Sequence, residues 1–227
     1  MTAVRMRLRA PWMSWGLVSR NLDRGTEQFP TKSAVIGLVA NALGYDRYDE
    51  ITELNNMQFG VGQIIHMSYT PTMTVDYQTV GGGYDWWDSL IVQEPGKKIQ
   101  HFNDDREIVG IRTKAYLQDA DFLAVLIGET NMVKHIAKGI ENPKRPLFLG
   151  RRSCPPSKPV FIDIIETPSL QDALQSWNEP SLTIGEMLLE CNNAEANISF
   201  TDQPINFGRR EYRSRNVKLV IPENVNT

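Results

Sequence analysis

Apolar and polar residues alternate without a break at the start of the chain. Val4, Met6 and Leu8 share one face of residues 4–9, and Arg5, Arg7 and Arg9 share the other. A period of two predicts a half-buried strand, with three arginines outside to meet phosphates or water. Pro11 ends it, and Trp12–Gly16 reads as an aromatic turn. Residues 17–29 read as a polar loop. From residue 29 the period becomes helical. Val35, Leu38, Val39, Ala42 and Leu43 form one face, Ala34, Gly37 and Ala40 a small-residue strip, and Gly44 a stop. Residues 57–80 read as extended, with Gly60 and Gly62 marking a bulge or a close backbone approach. Gly81-Gly82-Gly83 then breaks regular structure, and residues 76–112 read as a projecting hairpin arm containing Trp86-Trp87 and Pro95-Gly96.

Phe122–Ile127 is a continuous apolar run and predicts a central strand. Thr130 reads as the cap of a helix whose inner face is Val133, Ile136, Ala137 and Ile140, closed by Pro143. Val160–Ile165 predicts a strand and Ser169–Trp177 a short helix capped by Ser169. Met187–Cys191 and Ile198–Phe200 flank Asn192-Asn193 as a hairpin, and Lys218–Ile221 is a last strand. This order predicts an α+β fold. Residues 1–145 form a βαββαβ ferredoxin-like domain with the arm inserted, and residues 146–227 a smaller, mainly β part.

Charge changes this picture. The net charge is −3, but its distribution is uneven. Residues 1–33 hold six Lys/Arg against two acids, residues 138–158 six against one, and residues 205–218 five against one, whereas residues 159–204 hold eight acids and no Lys or Arg. That segregation predicts a molecule with one cationic surface. No run of about eighteen apolar residues exists for a membrane span. The N-terminal stretch lacks the apolar centre of a secretory signal. Two cysteines are too few and too scattered for a zinc site or a disulfide framework, which fits a reducing interior and a cytoplasmic location.

Three stretches carry candidate chemistry. Pro30, Thr31, Lys32 and Ser33 open the first helix, where unpaired backbone N–H groups, hydroxyls and an ammonium suit an anion, or simply begin an amphipathic helix. Gly150, Arg151, Arg152 and Ser153 combine a backbone able to approach closely with donors suited to phosphate, or form a solvated loop. Gly208–Arg215 interleaves Arg209, Arg210, Arg213 and Arg215 with Tyr212, a pattern suited to a nucleic-acid backbone and a stacked base, or to a basic surface loop. Catalytic motifs are weak. Of His66, His101 and His135, His135 lies on the polar side of its helix, His66 in a strand pattern, and His101 in the arm, where it is the one candidate general base. No metal-ligand spacing, nucleotide loop or nucleophile elbow occurs.

The first two of these stretches, with Arg9-Ala10-Pro11, Ser14-Trp15-Gly16, Arg24, Thr26 and Asp76-Tyr77-Gln78-Thr79-Val80, resemble the CasD family. These are the RAMP-superfamily subunits of type I-E CRISPR surveillance complexes, or Cascade. The resemblance spans roughly residues 4–220. It implies a ferredoxin-like domain with a β-hairpin thumb over residues 76–112, begun by Asp76 and Tyr77 and closed by Arg112, Lys114 and Tyr116. It implies a non-catalytic, cofactor-free subunit that binds the 5′ handle of CRISPR RNA at one end of the complex. The partners implied are a backbone subunit, the large subunit and, within the complex, target DNA. The RNA-facing residues expected with this resemblance are Arg24, Thr26, Pro30, Thr31, Lys32, Ser33, Tyr77, Arg112, Lys114, Gly150, Arg151, Arg152 and Ser153, and the third arginine-bearing stretch adds Arg209 and Arg210. Type I-C relatives cut precursor RNA with a tyrosine, a lysine and a histidine, but Ile111–Tyr116 offers no histidine after Lys114. The alternative is a metal-independent endoribonuclease using Lys114 or His101.

Overall fold

The computed structural model describes residues 1–16, 23–80 and 110–222. The chain opens with β1 (Thr2–Arg9) and the short strands β2 (Trp12–Met13), β3 (Trp15–Gly16), β4 (Asp23–Arg24) and β5 (Thr26–Glu27). Then come α1 (Lys32–Leu43), α2 (Thr52–Asn55), β6 (Gln58–His66), β7 (Thr72–Val80), β8 (Gly110–Gln118), β9 (Asp121–Gly128) and α3 (Thr130–Glu141). The rest is β10 (Phe161–Glu166), α4 (Leu170–Gln175), β11 (Leu182–Glu190), β12 (Ile198–Asn206) and β13 (Glu211–Val220).

The result is a mixed α/β structure dominated by antiparallel sheet. Seven strands lie in the order β10-β1-β9-β6-β11-β13-β12. In sequence α1 links β1 to β6, and β9 separates those strands in the sheet. α3 links β9 to β10, and β1 separates them. The strand flanking β1 is therefore β10, well beyond the first 140 residues. The sheet crosses the expected boundary at 145–146, since β10 to β13 all belong to it.

Both faces of this sheet are covered, which explains why Phe122–Ile127 is apolar throughout. Phe122, Ala124 and Leu126 join Val4, Met6 and Leu8 beneath α1 and α3. Leu123, Val125 and Ile127 pack with Leu170, Ala173 and Leu174 of α4 on the other side. Gly60 of β6 lets α4 lie close, since a Cβ there would sit 3.2 Å from Leu170 Cδ2, and Gly62 makes room for the neighbouring strand β11, since a Cβ there would sit 2.8 Å from Ile184 Cγ2.

The arginines of β1 correct the half-buried reading. Arg5 and Arg7 are buried. Arg5 holds Asp163 through Nε at 2.7 Å and Nη2 at 2.5 Å. Arg7 donates to Asp121 at 2.8 Å and to Glu179 at 2.6 Å, with the Trp177 ring 5.7 Å away. Burial opposes the Arg7 charge, but the two carboxylates outweigh it and hold its pKa above the ordinary value. Asp121, fully buried, also meets Nε2 of His66 at 2.8 Å, and that ring stacks on Tyr69. His66 is thus structural.

Three further expectations shift. β11 and β12 do not pair as a hairpin about Asn192-Asn193, because β13 lies between them. Thr130 is the first helical residue of α3 and not its cap, which is Glu129. The root of the arm is an antiparallel ladder from Thr72↔Gln118 to Val80↔Gly110. Residues 81–109, with Trp86, Trp87 and His101, lie outside the described residues. Among the described residues no helix is long and apolar enough to cross a membrane.

Asp121 is shared by Arg7, Arg9 and His66, so Asp121→Ala leaves the buried Arg7 guanidinium with Glu179 alone. Urea unfolding should show a loss of about 3–5 kcal/mol, whereas Lys134→Ala on the exposed face of α3 should leave the midpoint in place.

Candidate nucleic-acid interface

Each of the three candidate stretches contributes to one cleft of about 790 Å3. One wall is the outer face of α1, with Ser33, Ala34, Gly37 and Asn41. The second is the turn around Gly150 and Arg151 together with Ser14, Gly16, Arg24 and Gly25. The third is the β12–β13 hairpin, with Thr201, Asp202, Phe207, Arg210 and Tyr212.

The tip of α1 is an anion site, but its anion is internal. Thr31 caps the helix, its side chain accepting the Ala34 N–H at 3.3 Å. The Lys32 N–H donates to Oδ2 of Asp202 at 2.7 Å. Asp202 is gripped in turn by Arg215, through Nε at 2.6 Å and Nη2 at 2.9 Å. The Lys32 ammonium, 1% exposed, turns inward and donates to Glu190 at 2.9 Å, whose carboxylate also accepts the Phe59 N–H at 3.0 Å. Burial pushes the Lys32 pKa down, and Glu190 offsets part of that. Lys32 and Arg215 therefore do not face a ligand, and Pro30 and Thr31 are buried. Ser33 remains on the cleft wall. The small residues of α1 let the hairpin approach, and a Cβ on Gly37 would lie 3.6 Å from the Phe207 ring.

Gly150 approaches backbone rather than a ligand. Its φ is +87°, and a Cβ there would sit 1.6 Å from the Ser14 carbonyl oxygen. The Ser14 N–H donates to Leu149 O at 3.2 Å, so the turn is bolted to the β2–β3 corner. Arg151 is a strut of the same wall. Its guanidinium lies 4.4 Å from the Tyr116 ring centroid and donates to Arg24 O at 3.0 Å and Gly25 O at 3.3 Å. Trp12 packs on the same tyrosine at 5.1 Å between centroids. Arg152 and Ser153 are exposed. Thr26 is buried, accepting the Trp15 N–H at 2.8 Å and donating to Glu27 O at 3.0 Å. Its role is structural, whereas Arg24 is exposed on the cleft.

At the hairpin, Arg209 and Arg210 are both exposed. Arg210 holds a φ of 56°, and the Arg209 N–H donates to Asn206 Oδ1 at 2.9 Å. Arg47 Nε donates to Phe207 O at 3.2 Å and steadies the tip from the loop after α1. In the arm, Lys114 Nζ donates to Gln78 at 2.6 Å. Tyr77 pairs across from Thr113 and lies on the opposite face of the ladder from Lys114. The side chain of Arg112 lies outside the described residues. Phe148 and Phe207 were missed as lining residues because they lie outside any basic motif. Asp202 had a readable signal: it follows Phe200 at the strand period, and a carboxylate on an inward face needs a partner.

The sequence profile of the CRISPR-associated protein (Cas5) family matches residues 3–218. The chain belongs to this family. The Cascade subunit CasD of Escherichia coli strain K12 is 28% identical over 223 residues, covering 92% of this chain and 92% of that protein. A crystal structure of a Cas protein is 28% identical with a TM-score of 0.70, covering 96% of this chain and 94% of that one. A chain of a CRISPR RNA-guided surveillance complex shares the fold at 21% identity and a TM-score of 0.72, covering 96% and 89%. Among the described residues no group of His, Cys, Asp or Glu is arranged to hold a metal.

Two outcomes separate wall from ligand surface. Lys32→Ala should lower stability by about 3 kcal/mol, because it leaves Glu190 unpaired, yet leave the salt dependence of RNA binding unchanged in filter titrations. Glu27 lies in the field of Asp202, and burial first, then that like charge, push its carboxyl pKa up. Between the ordinary carboxylate pKa and its raised folded value the folded state binds more protons than the unfolded state, so this contribution to stability grows as pH falls through that window and is lost as pH rises through it. Glu27→Gln should raise the melting temperature at pH 7, and the gain should narrow towards about pH 4.

Proposed function

We propose that this protein is a non-catalytic RNA-binding subunit of a type I-E CRISPR surveillance ribonucleoprotein, and that its cleft holds the 5′ handle of the CRISPR RNA. The observation that carries this reading is convergence: residues around 33, 150 and 210, far apart in sequence, line one cleft. The exposed guanidiniums of Arg24, Arg152, Arg209 and Arg210 take the phosphates of a kinked single strand. The rings of Phe207 and Tyr212 offer faces for splayed bases. Asp202 is already neutralised by Arg215 and the Lys32 N–H, so it repels the strand less than a free carboxylate would.

The E. coli relative is named as a Cascade subunit, which supports placing this chain at one end of such a complex, beside a backbone subunit and the large subunit, with target DNA bound by the whole assembly. The strand order β10-β1-β9-β6 with α1 and α3 on one face supports reading that part as ferredoxin-like. A cytoplasmic location follows from the same role. Lys114 engaged by Gln78, and Tyr116 buried beneath Arg151, speak against the endoribonuclease reading.

The test uses the purified chain, repeat-derived RNA and a chelator. Handle RNA should bind and stay intact. Arg24→Ala with Arg210→Ala should weaken binding about tenfold or more and reduce the salt slope by roughly 0.7 per lost phosphate contact. Specific metal-independent cleavage, or an unchanged slope, would overturn the proposal.

A further inference from the structure

β7 carries exposed apolar side chains that the cleft does not use. Met73 is 53% exposed, Val75 60% and Tyr77 60%. Spaced by two, they share one face of the β7–β8 ladder. Their cross-strand neighbours are Leu117, Ala115 and Thr113. Beyond β8, Met13 lies beside Leu117 and Asp23 beside Thr113. Met13 and Leu117 are core residues, so the strip runs outward from the core without a break. Among the described residues of this face on β7 and β8 there is no Lys or Arg. The opposite face of the same sheet holds Trp12, Tyr116, Lys114 and Arg24, the last on the cleft. One sheet thus has a face carrying Lys114 and Arg24, the latter on the cleft, and an opposite face on which β7 presents Met73, Val75 and Tyr77.

The edge of β7 is open as well. Among the described residues β7 pairs with β8 alone, along nine positions. Its sequence, Thr-Met-Thr-Val-Asp-Tyr-Gln-Thr-Val, has no Lys and no Pro. Natural edge strands use charges, Lys above all, and Pro to stop another chain from pairing, and the one charge on β7, Asp76, lies on the opposite face from the strip and accepts from Gln78 at 2.6 Å. An unguarded edge beside an exposed apolar strip is the arrangement that accepts an added strand.

We infer that β7 (Thr72–Val80) docks a β-strand of a neighbouring protein subunit, whose backbone pairs along the open edge and whose alternate apolar side chains cover Met73, Val75 and Tyr77. A polypeptide fits because the strip is uncharged and the edge offers backbone donors and acceptors. RNA fits less well, because no cation among the described residues of this face would hold its phosphates. The inference rests on the chain being a subunit of a ribonucleoprotein.

The test introduces a charge that phosphate would favour and an apolar strand would reject. The full chain carrying Val75→Lys is co-expressed with the other complex subunits and a CRISPR RNA. Its incorporation into the assembled particle should fall about tenfold, while the free chain's melting and its affinity for handle RNA stay within about twofold. Val75→Thr keeps the shape and strand preference and should give a smaller loss in the same direction. Unchanged incorporation of Val75→Lys overturns the inference. So does RNA binding that strengthens with Val75→Lys or weakens with Tyr77→Ala, which would give this face to RNA. So does a parent chain that joins no particle. Failure of the free chain to bind handle RNA would instead count against the cleft reading, leaving a Val75→Lys assembly defect as separate support for the strand dock.

Discussion

The contact on which the rest of the molecule depends is the Asp202 carboxylate lodged against the first N–H of α1. It joins elements that sequence separation keeps far apart: β12 supplies the carboxylate, β13 the clamping Arg215, and α1 the donor. The side chain of that same residue, Lys32, extends the network to Glu190 on β11 and so to the Phe59 N–H on β6. Replacing a buried ionic network of this kind by apolar packing is often close to neutral in stability, whereas breaking one partner out of it is not. Its effect here is geometric: it fixes how far the β12–β13 hairpin stands from α1, and hence the width of the cleft. It also consumes the positive end of the helix, so the cleft's attraction for an anion falls to its exposed arginines.

The opposite wall rests on a steric constraint. Gly150, at a backbone angle that side chains rarely adopt, brings its turn into contact with the Ser14 backbone. Arg151 then braces the turn against Tyr116 and the carbonyls of Arg24 and Gly25. Two adjacent arginines thereby divide the work, one built into the wall and one left exposed. The same division recurs at the hairpin, where Arg215 is internal and Arg209 and Arg210 are exposed. The β7–β8 ladder shows a comparable division, with Asp76, Gln78 and Lys114 on one face and Met73, Val75 and Tyr77 on the other.

Much of this was legible from periodicity. The first strand, α1 with its Gly44 stop, the central strand at residues 122–127 and the short helix capped by Ser169 all follow from local patterns that tertiary packing reinforced. What sequence could not separate was a cation facing solvent from a cation facing a distant carboxylate. Arg5, Arg7, Lys32 and Arg215 sit in segments that read as basic, and each is claimed by an acid from a different part of the chain. The acidic stretch 159–204 supplied most of those partners, so the apparent charge segregation partly cancels on folding. The misread hairpin at Asn192-Asn193 has a similar origin, because strand adjacency is set by long-range pairing and not by the nearest turn signal.

The most direct measurement of the central claim is photocrosslinking from handle RNA carrying 4-thiouridine, with the attached peptides mapped by mass spectrometry. The account predicts crosslinks clustered at Phe207–Tyr212, at Phe148–Arg152 and around Arg24. Crosslinks confined to β10, α4 and β11, across the sheet from the cleft, would contradict it.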